Sequence, residues 1–102
     1  MIATIERRRG EIRALCQLNK VRRLDLFGSA ARGIDFTATS DVDLLAEFDA
    51  EQNGPHLREY LTLRDSLAKI VGRDIDLTMA GAVRNPFIRA EIERSRQPIY
   101  AA

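Results

Sequence analysis

Two aspartates separated by one residue, Asp41 and Asp43, are the first candidates for chemistry in this 102-residue sequence. They fall in a predicted strand, where alternate side chains share a face and their Cα atoms lie ~6.5–7 Å apart. A third carboxylate, Asp76, lies in a later predicted strand, on the face opposite Ile75 and Leu77. If the two strands are neighbours, the three carboxylates converge and are able to hold two Mg²⁺ ions ~3.5–4 Å apart. The alternative is a solvated strand end.

Acidic side chains are concentrated in one block of the sequence. Residues 34–54 carry six acidic and no basic side chains, whereas residues 1–33 carry a net charge of +5. Carboxylates held close together destabilise one another unless a cation offsets them. The block is therefore either a cation site or an ordinary solvated loop and strand, and the choice depends on whether the carboxylates share one face.

A Gly28-Ser29 turn follows the first predicted strand, Val21 to Phe27, and precedes a short predicted helix that ends at Gly33. Free backbone N–H groups at a helix start favour an anion such as phosphate. Glycine permits a close approach of the backbone, and the serine hydroxyl is a further donor. Such turns are common, so a plain strand-to-helix connection is the alternative.

The apolar periodicity predicts helices and strands that alternate along one small unit. The longer helices are predicted over Ile2–Leu18, Leu57–Val71 and Pro86–Ser95. The strands are predicted over Val21–Phe27, Asp41–Phe48 and Asp74–Thr78, with Pro98-Ile99-Tyr100 as a short extended tail. This order predicts an α/β (α+β) fold, a small mixed β-sheet with helices packed on it, as a single domain over residues 1–102. Cys16 lies on the apolar stripe of the first helix, so we expect it to pack in the core.

The composition excludes several classes of protein. Lys plus Arg is 16 and Asp plus Glu is 15, which argues against a protein that coats nucleic acid. The longest stretch without a charge, Leu77 to Val83, is far shorter than the ~20 residues of a membrane span, and the N-terminus lacks the apolar core of a secretory signal. One cysteine and one histidine exclude a disulfide framework and Cys- or His-rich metal sites. We expect a cytoplasmic protein with no membrane and no direct nucleic-acid partner.

In combination, these features resemble the nucleotidyltransferase superfamily related to DNA polymerase β. The matching motifs are Gly28-Ser29-x-Ala31-Arg32-Gly33, Ser40-Asp41-x-Asp43-Leu44-Leu45 and Asp76-Leu77. The length, the Asn85-Pro86-Phe87 start of the last helix and the Ile99-Tyr100 ending look most like the minimal nucleotidyltransferases. Members of that group are small domains, often antitoxins encoded beside a HEPN-domain toxin.

The resemblance implies the nucleotidyltransferase fold and transfer of AMP from ATP to a hydroxyl group, with Mg²⁺, two ions, as cofactor. Asp41, Asp43 and Asp76 would then hold the metal. Asp76 would also accept the proton of the attacking hydroxyl, since a carboxylate beside the attacking oxygen is the natural base.

The same resemblance assigns Gly28 and Ser29 to the triphosphate, and leaves two alternatives for Arg32: a contact with phosphate, or a salt bridge to an aspartate of the site. It implies a HEPN toxin as partner, adenylylated on a hydroxyl, plausibly that of a tyrosine. A non-catalytic nucleotide-binding module that neutralises its partner by occlusion is the alternative. A transferase for a small molecule is less favoured, because the chain leaves little length for a second substrate domain.

Overall fold

Four strands and five α-helices make up the computed structural model, which describes residues 2–33, 36–49 and 57–102. The strands are β1 (Val21–Phe27), β2 (Val42–Phe48), β3 (Ile75–Met79) and β4 (Gln97–Ala101). The helices are α1 (Ala3–Arg7), α2 (Arg9–Leu18), α3 (Gly28–Arg32), α4 (Leu57–Val71) and α5 (Pro86–Ser95), with a 3₁₀ turn at Ala80–Ala82. The sequence also predicts a loop over residues 49–55, marked by Asn53-Gly54-Pro55, and this stretch lies almost entirely outside the described residues.

The sheet has the strand order β3-β2-β1-β4 and is mixed, which confirms the predicted fold class. Strand β1 pairs antiparallel with both β2 and β4, whereas β2 pairs parallel with β3. A parallel pair needs a crossover, and α4 lies in the connection between β2 and β3. The parallel pairing brings the starts of β2 and β3, where the acidic side chains lie, to the same end of the sheet.

One face of the sheet carries the hydrophobic core. Leu26, Leu44 and Leu77 lie side by side on three strands and are at most 3% exposed. Alternation along each strand turns these leucines to one face, and helices α2 and α4 cover them with residues such as Cys16 and Leu67, both fully buried. The position of Cys16 in the core confirms its predicted packing role, and burial raises the pKa of its thiol to about 12. The acidic side chains are left on the other face.

Helix ends follow local signals in the sequence. Helix α5 begins where the Asn85 side chain accepts the N–H of Phe87 at 2.9 Å and Pro86 takes the first helical position. Helix α4 ends at Val71, directly before Gly72, whose φ of +76° suits glycine and whose N–H donates to the carbonyl of Ala68. No helix in the described part of the chain is long and apolar enough to cross a bilayer.

The N-terminal segment differs from the prediction of one helix over residues 2–18. It is divided at Arg8, which has φ −105° and ψ 17°, into α1 and α2. No side-chain cap marks the start of α2, so local sequence does not reveal the break. The following residue, Arg9, donates to the carbonyl of Ile99 at 3.3 Å, a contact between residues 90 positions apart.

The predicted extended tail is a full strand of the sheet. Strand β4 lies at an edge and pairs with β1, with Pro98 opposite Asp25 where the register shifts. An edge strand with an irregular register tolerates proline, because the missing N–H removes no ladder hydrogen bond that another strand needs. The chain end therefore covers the free side of β1.

Candidate active site

The turn between β1 and α3 lies directly against the start of β2. Gly28 has a φ of +73°, and a Cβ atom at this position would overlap the Oδ2 atom of Asp43. Glycine is required here both by its backbone conformation and by this close approach. The Gly28 N–H donates to Oγ of Ser95 in α5 at 3.3 Å. This donor is therefore already satisfied, unlike the free N–H groups expected from the sequence.

Two carboxylates lie side by side next to this turn, and a third lies nearby. Asp43 on β2 and Asp76 on β3 are direct partners in the parallel register, and their side chains share a hydrogen bond. Asp41 lies one residue before β2, close enough for its charge to act on Asp43. The structure thus pairs Asp43 with Asp76 and leaves Asp41 near them, without a ready cluster of all three carboxylates, and the roles of the three aspartates stay a prediction.

Asp43 is the carboxyl group that this arrangement perturbs. Its pKa is raised from 3.8 to about 6, mainly because the group is partly buried. The negative charge of Asp76 and its hydrogen bond raise the pKa further, Asp41 adds a smaller increase, and the positive charge of Arg32 opposes them. The cluster therefore holds more negative charge than its surroundings compensate, and a bound cation would relieve the repulsion.

The donor set suits Mg²⁺ that binds together with phosphate. Within residues 2–33, 36–49 and 57–102, no group of three or more His, Cys, Asp or Glu side chains forms a ready metal-binding cluster. Mg²⁺ usually takes only one or two carboxylates from the protein and fills its other positions with water and substrate phosphates. The Asp43–Asp76 pair, with the exposed Asp41 beside it, fits this mode of binding.

Arg32 lies near the cluster but forms its ion pair elsewhere. Its Nη1 donates to Oε1 of Glu91 in α5 at 2.9 Å, whereas the sequence interpretation considered an aspartate of the site as the partner. That alternative is wrong because α5 packs beside α3 and presents a closer carboxylate. The positive charge of Arg32 still acts on Asp43, so its contact with phosphate stays a prediction.

Arg73 anchors the segment that leads into the first aspartate of the cluster. Its Nη1 donates to the carbonyls of Thr37 and Ser40 at 2.9 and 3.0 Å. Its guanidinium carbon lies 4.3 Å from the centre of the Phe36 ring. Ser40 directly precedes Asp41, so Arg73 ties the approach to β2 to the approach to β3. Sequence reasoning missed this residue, because no local pattern marks an arginine that binds backbone carbonyls 33 and 36 positions away.

A buried ion pair attaches α5 to the same face of the sheet. Asp25 in β1 is fully buried and accepts from Nε of Arg96 at 2.7 Å and from Nε of Arg23 at 3.1 Å. Arg96 directly follows α5, so the pair fixes the end of the helix that contacts Gly28 through Ser95. An aspartate between Leu24 and Leu26 in an apolar strand was a signal that sequence reasoning missed.

Comparison with known proteins gives matches in sequence. Residues 10–99 match the model described as nucleotidyltransferase domain. A Methanocaldococcus jannaschii protein provisionally named a protein adenylyltransferase is 45% identical over 74 residues, which are 72% of this chain and 72% of that protein. A second protein of the same organism, with the same provisional name, is 38% identical over 74 residues, which are 72% of this chain and 71% of that protein.

Solved structures match over nearly the whole chain. One is provisionally described as a minimal nucleotidyltransferase and has a TM-score of 0.75 at 29% identity. The match covers 93% of this chain and 92% of that chain. A toxin–antitoxin complex with AMP-PNP has a TM-score of 0.71 at 19% identity, over 92% of this chain and 73% of that chain. A complex of tri-AMPylated Shewanella oneidensis HEPN toxin with MNT antitoxin has a TM-score of 0.67 at 16% identity, over 96% of this chain and 73% of that chain. The last two show a shared fold.

Proposed function

Because this chain belongs to the nucleotidyltransferase domain family, we propose that it is a Mg²⁺-dependent protein adenylyltransferase that neutralises a HEPN toxin. The reaction moves AMP from ATP to a hydroxyl group of the toxin, and we propose a tyrosine as the acceptor. The similar M. jannaschii proteins carry the name protein adenylyltransferase, and one structural neighbour is an MNT antitoxin bound to a tri-AMPylated HEPN toxin. In this proposal residues 1–102 act as one minimal nucleotidyltransferase domain.

The observation that carries this proposal is the carboxylate cluster against the Gly28 turn. Asp43 and Asp76 are register partners, and the backbone of Gly28 leaves no room for a side chain between the turn and Asp43. A phosphate chain that lies on the turn is therefore beside carboxylates able to share a cation with it. This juxtaposition is what phosphoryl transfer needs, since its catalysis is mostly positioning and charge stabilisation.

The reaction is an in-line displacement at the α-phosphorus of ATP. The acceptor hydroxyl oxygen forms a new bond to the α-phosphorus, while the bond from that phosphorus to the bridging oxygen of the pyrophosphate breaks and pyrophosphate leaves. The hydroxyl proton moves to the carboxylate of Asp76. Asp76 suits this role because it is exposed and lies on β3, an edge strand that a protein acceptor is able to approach from the side.

Asp41 and Asp43, completed by Asp76, are the residues that would hold Mg²⁺ in this site. When bound, Mg²⁺ offsets phosphate charge, activates the acceptor oxygen and stabilises the negative charge that develops on the leaving pyrophosphate. With a pKa of about 6, Asp43 is mostly ionised above pH 7 and is available as a ligand without a preceding proton loss.

The phosphates are held by the turn and by α3 in this proposal. The half-buried Ser29 supplies its hydroxyl, and Gly28 permits the close approach of the chain. Arg32 adds positive charge on the same side, where its charge already acts on Asp43. Contact with phosphate would require Arg32 to exchange its ion pair with Glu91 for the ligand.

Transfer of label from α-³²P-ATP to the HEPN toxin tests the proposal. The toxin, this chain, ATP and Mg²⁺ are incubated together, and the labelled residue is identified by mass spectrometry. We expect label on a toxin tyrosine with the unaltered chain and with the control variant Asp65→Asn, whose aspartate is exposed on α4 and pairs with Arg64. We expect none with Asp41→Asn or Asp43→Asn.

The occlusion alternative gives a different pattern in the same experiment. If the toxin is neutralised without label, and the variants Asp41→Asn and Asp43→Asn neutralise it as well as the unaltered chain, this protein acts by binding and the proposed enzyme activity is wrong. Neutralisation is measured as cell growth while the toxin is expressed, so it is independent of the label.

A further inference from the structure

Three consecutive side chains, those of residues 95–97, lie where α5 ends and β4 begins. Each of them binds a different part of the unit formed by β1, the Gly28 turn and α3. We propose that Ser95, the first of the three, is a positioning residue that holds the Gly28 turn at a fixed distance from Asp43. The inference rests on the proposed function and adds to it a residue that touches neither the nucleotide nor the metal.

The hydroxyl group of Ser95 binds two backbone groups at once. Its Oγ accepts the N–H of Gly28 at 3.3 Å, and its O–H donates to the carbonyl of Glu91 at 3.1 Å. A hydroxyl has one hydrogen to donate and two acceptor lone pairs, so both bonds form together. Glu91 lies one turn earlier in α5, so the helix fixes the direction of the hydroxyl. The position of α5 therefore sets the position of the Gly28 backbone.

Burial makes the bond between Ser95 and Gly28 hard to replace. Both residues are buried, and Ser95 is only 9% exposed. A buried N–H that loses its acceptor costs free energy, because water does not readily take the acceptor's place. Since this N–H already has an acceptor in α5, it contributes to the site through the position of the turn rather than through a bond to phosphate.

The position of the turn matters because Asp43 is in contact with it. A Cβ atom at position 28 would overlap the Oδ2 atom of Asp43, so there is no free space between the turn and the carboxylate. A shift of the turn changes where a phosphate on it lies relative to a cation held by Asp43. Phosphoryl transfer depends on such positioning, and an error of about 1 Å can lower a rate about 100-fold.

The other two side chains of segment 95–97 hold the flanks of the same turn. Nε of Arg96 donates at 2.7 Å to Asp25 in β1, which is fully buried. Nε2 of Gln97 donates at 3.0 Å to the carbonyl of Ala31 in α3. Because both flanks are fixed in this way, the serine hydroxyl determines where the turn lies between them.

Amide hydrogen exchange tests the hydrogen bond by comparison of the unaltered chain with Ser95→Ala. Alanine removes the hydroxyl and favours helix, so α5 should keep its form. The exchange rate of the Gly28 amide is expected to rise about tenfold or more, while that of Leu26 in β1 stays the same. The midpoint of urea unfolding is expected to change by less than about 0.5 M. An unchanged rate at Gly28, or an equal rise at Leu26, would overturn the inference.

The kinetics of label transfer separate positioning from binding. In Ser95→Ala, kcat for transfer to the HEPN toxin is expected to fall about tenfold or more, while KM for ATP changes less than about threefold. The reason is that the turn keeps its own groups but loses its fixed place beside Asp43. A loss confined to KM, or an unchanged kcat, would contradict the role of Ser95.

Two further variants complete the comparison. Ser95→Thr keeps a hydroxyl that is able to bind the carbonyl of Glu91, as threonine does in helices, and is expected to return kcat to within about threefold of the unaltered chain. Ser66→Ala removes a serine hydroxyl from a half-buried position of α4 and is expected to change neither kcat nor KM. If Ser95→Thr is as slow as Ser95→Ala, the hydroxyl is not the positioning group.

The outcome is separable from that of the proposed function, because amide exchange needs neither toxin nor ATP. If the unaltered chain labels the toxin and Ser95→Ala labels it equally fast, the proposed function holds and the positioning role is wrong. If the unaltered chain transfers no label but Ser95→Ala raises the exchange rate of the Gly28 amide, the proposed function is wrong while Ser95 still holds the turn.

Discussion

The backbone of Gly28 lies so close to Asp43 that any side chain at position 28 would occupy the space of the carboxylate. The turn that is proposed to hold phosphate and the aspartate that is proposed to hold metal are thus in direct contact. A side chain added at position 28 must displace the carboxylate of Asp43. Four substitutions and one diffraction experiment test this view of the site.

Gly28→Ala is expected to reduce label transfer at least 100-fold, because the new Cβ atom displaces the Asp43 carboxylate and a misplacement of about 1 Å can cost that much. The φ of +73° adds a loss of stability of about 1 kcal/mol or more. Enzyme assays and urea unfolding measure both effects.

The matched control for this glycine is Gly10→Ala. Gly10 lies in α2, and a Cβ atom added there would have no neighbouring atom within 4 Å, so alanine should raise stability by about 0.5–1 kcal/mol and leave transfer unchanged. If Gly28→Ala behaves like Gly10→Ala, the close contact with Asp43 has no functional role.

Asp43→Asn is expected to stabilise the metal-free protein at pH 8 while it abolishes transfer. The pKa of Asp43 is about 6 in the folded state against an ordinary value of 3.8, so the folded state disfavours the ionised form. Below pH 3.8 the Asp43 carboxyl group is protonated in both the folded and the unfolded state, so it does not lower the free energy of unfolding of the unaltered chain. That free energy falls as the pH rises through 6. Because Asp43 is partly exposed, its ionisation lowers the free energy of unfolding by only about 1 kcal/mol.

Urea unfolding in EDTA at pH 4 and pH 8 measures this difference. The stability of Asp43→Asn relative to the unaltered chain should increase between the two pH values, whereas that of the control Asp65→Asn should not. If Asp43→Asn is less stable than the unaltered chain at pH 8, the ionised carboxylate of Asp43 does not destabilise the folded state.

Arg73→Ala is expected to lower the transfer rate on the order of 100-fold, because Asp41 loses the anchored segment that precedes it. The lost carbonyl hydrogen bonds and ring contact should also reduce stability by about 1–2 kcal/mol. Arg73→Lys should not restore activity, since lysine lacks the planar group that lies on Phe36.

The control for this arginine is Arg64→Ala, which removes a partly exposed arginine that pairs with its neighbour Asp65. It should leave transfer unchanged and stability within about 0.5 kcal/mol. Full activity of Arg73→Ala would mean that the site does not depend on the segment from Phe36 to Ser40.

Arg96→Met is expected to cost about 3 kcal/mol of stability, because it leaves the buried charge of Asp25 with Arg23 as its remaining cationic partner. The double variant Asp25→Leu/Arg96→Met removes both charges and should be more stable than the single variant. Urea unfolding of the two proteins measures the order. A double variant that is less stable than Arg96→Met would indicate that the ion pair itself stabilises the fold.

The fold is predictable where local signals agree with hydrophobic periodicity. The bounds of α4 and α5 follow from an apolar stripe that ends at Gly72 and from Pro86 at a helix start. The division of the first helix at Arg8 and the pairing of β4 are not predictable in this way, because both depend on contacts between the two ends of the chain.

The candidate site also has features that local sequence predicts and features that depend on contacts between distant residues. The spacing of Asp41 and Asp43 and the face of Asp76 are properties of single strands, so the sequence indicates them directly. Other contacts of the site form only when separate helices and strands pack together. They are the ion pair of Arg32 with Glu91, the hydrogen bonds of Arg73 to backbone carbonyls and the hydrogen bond from Gly28 to Ser95. Side chains that bind distant backbone atoms leave no periodic pattern in a sequence.

Anomalous diffraction from a crystal of this chain with Mn²⁺ and a non-hydrolysable ATP analogue locates the metal and the triphosphate together. We expect manganese in contact with the carboxylates of Asp41 and Asp43, with the triphosphate lying along Gly28 and Ser29. Manganese absent from this end of the sheet, or a triphosphate bound away from the Gly28 turn, would contradict it.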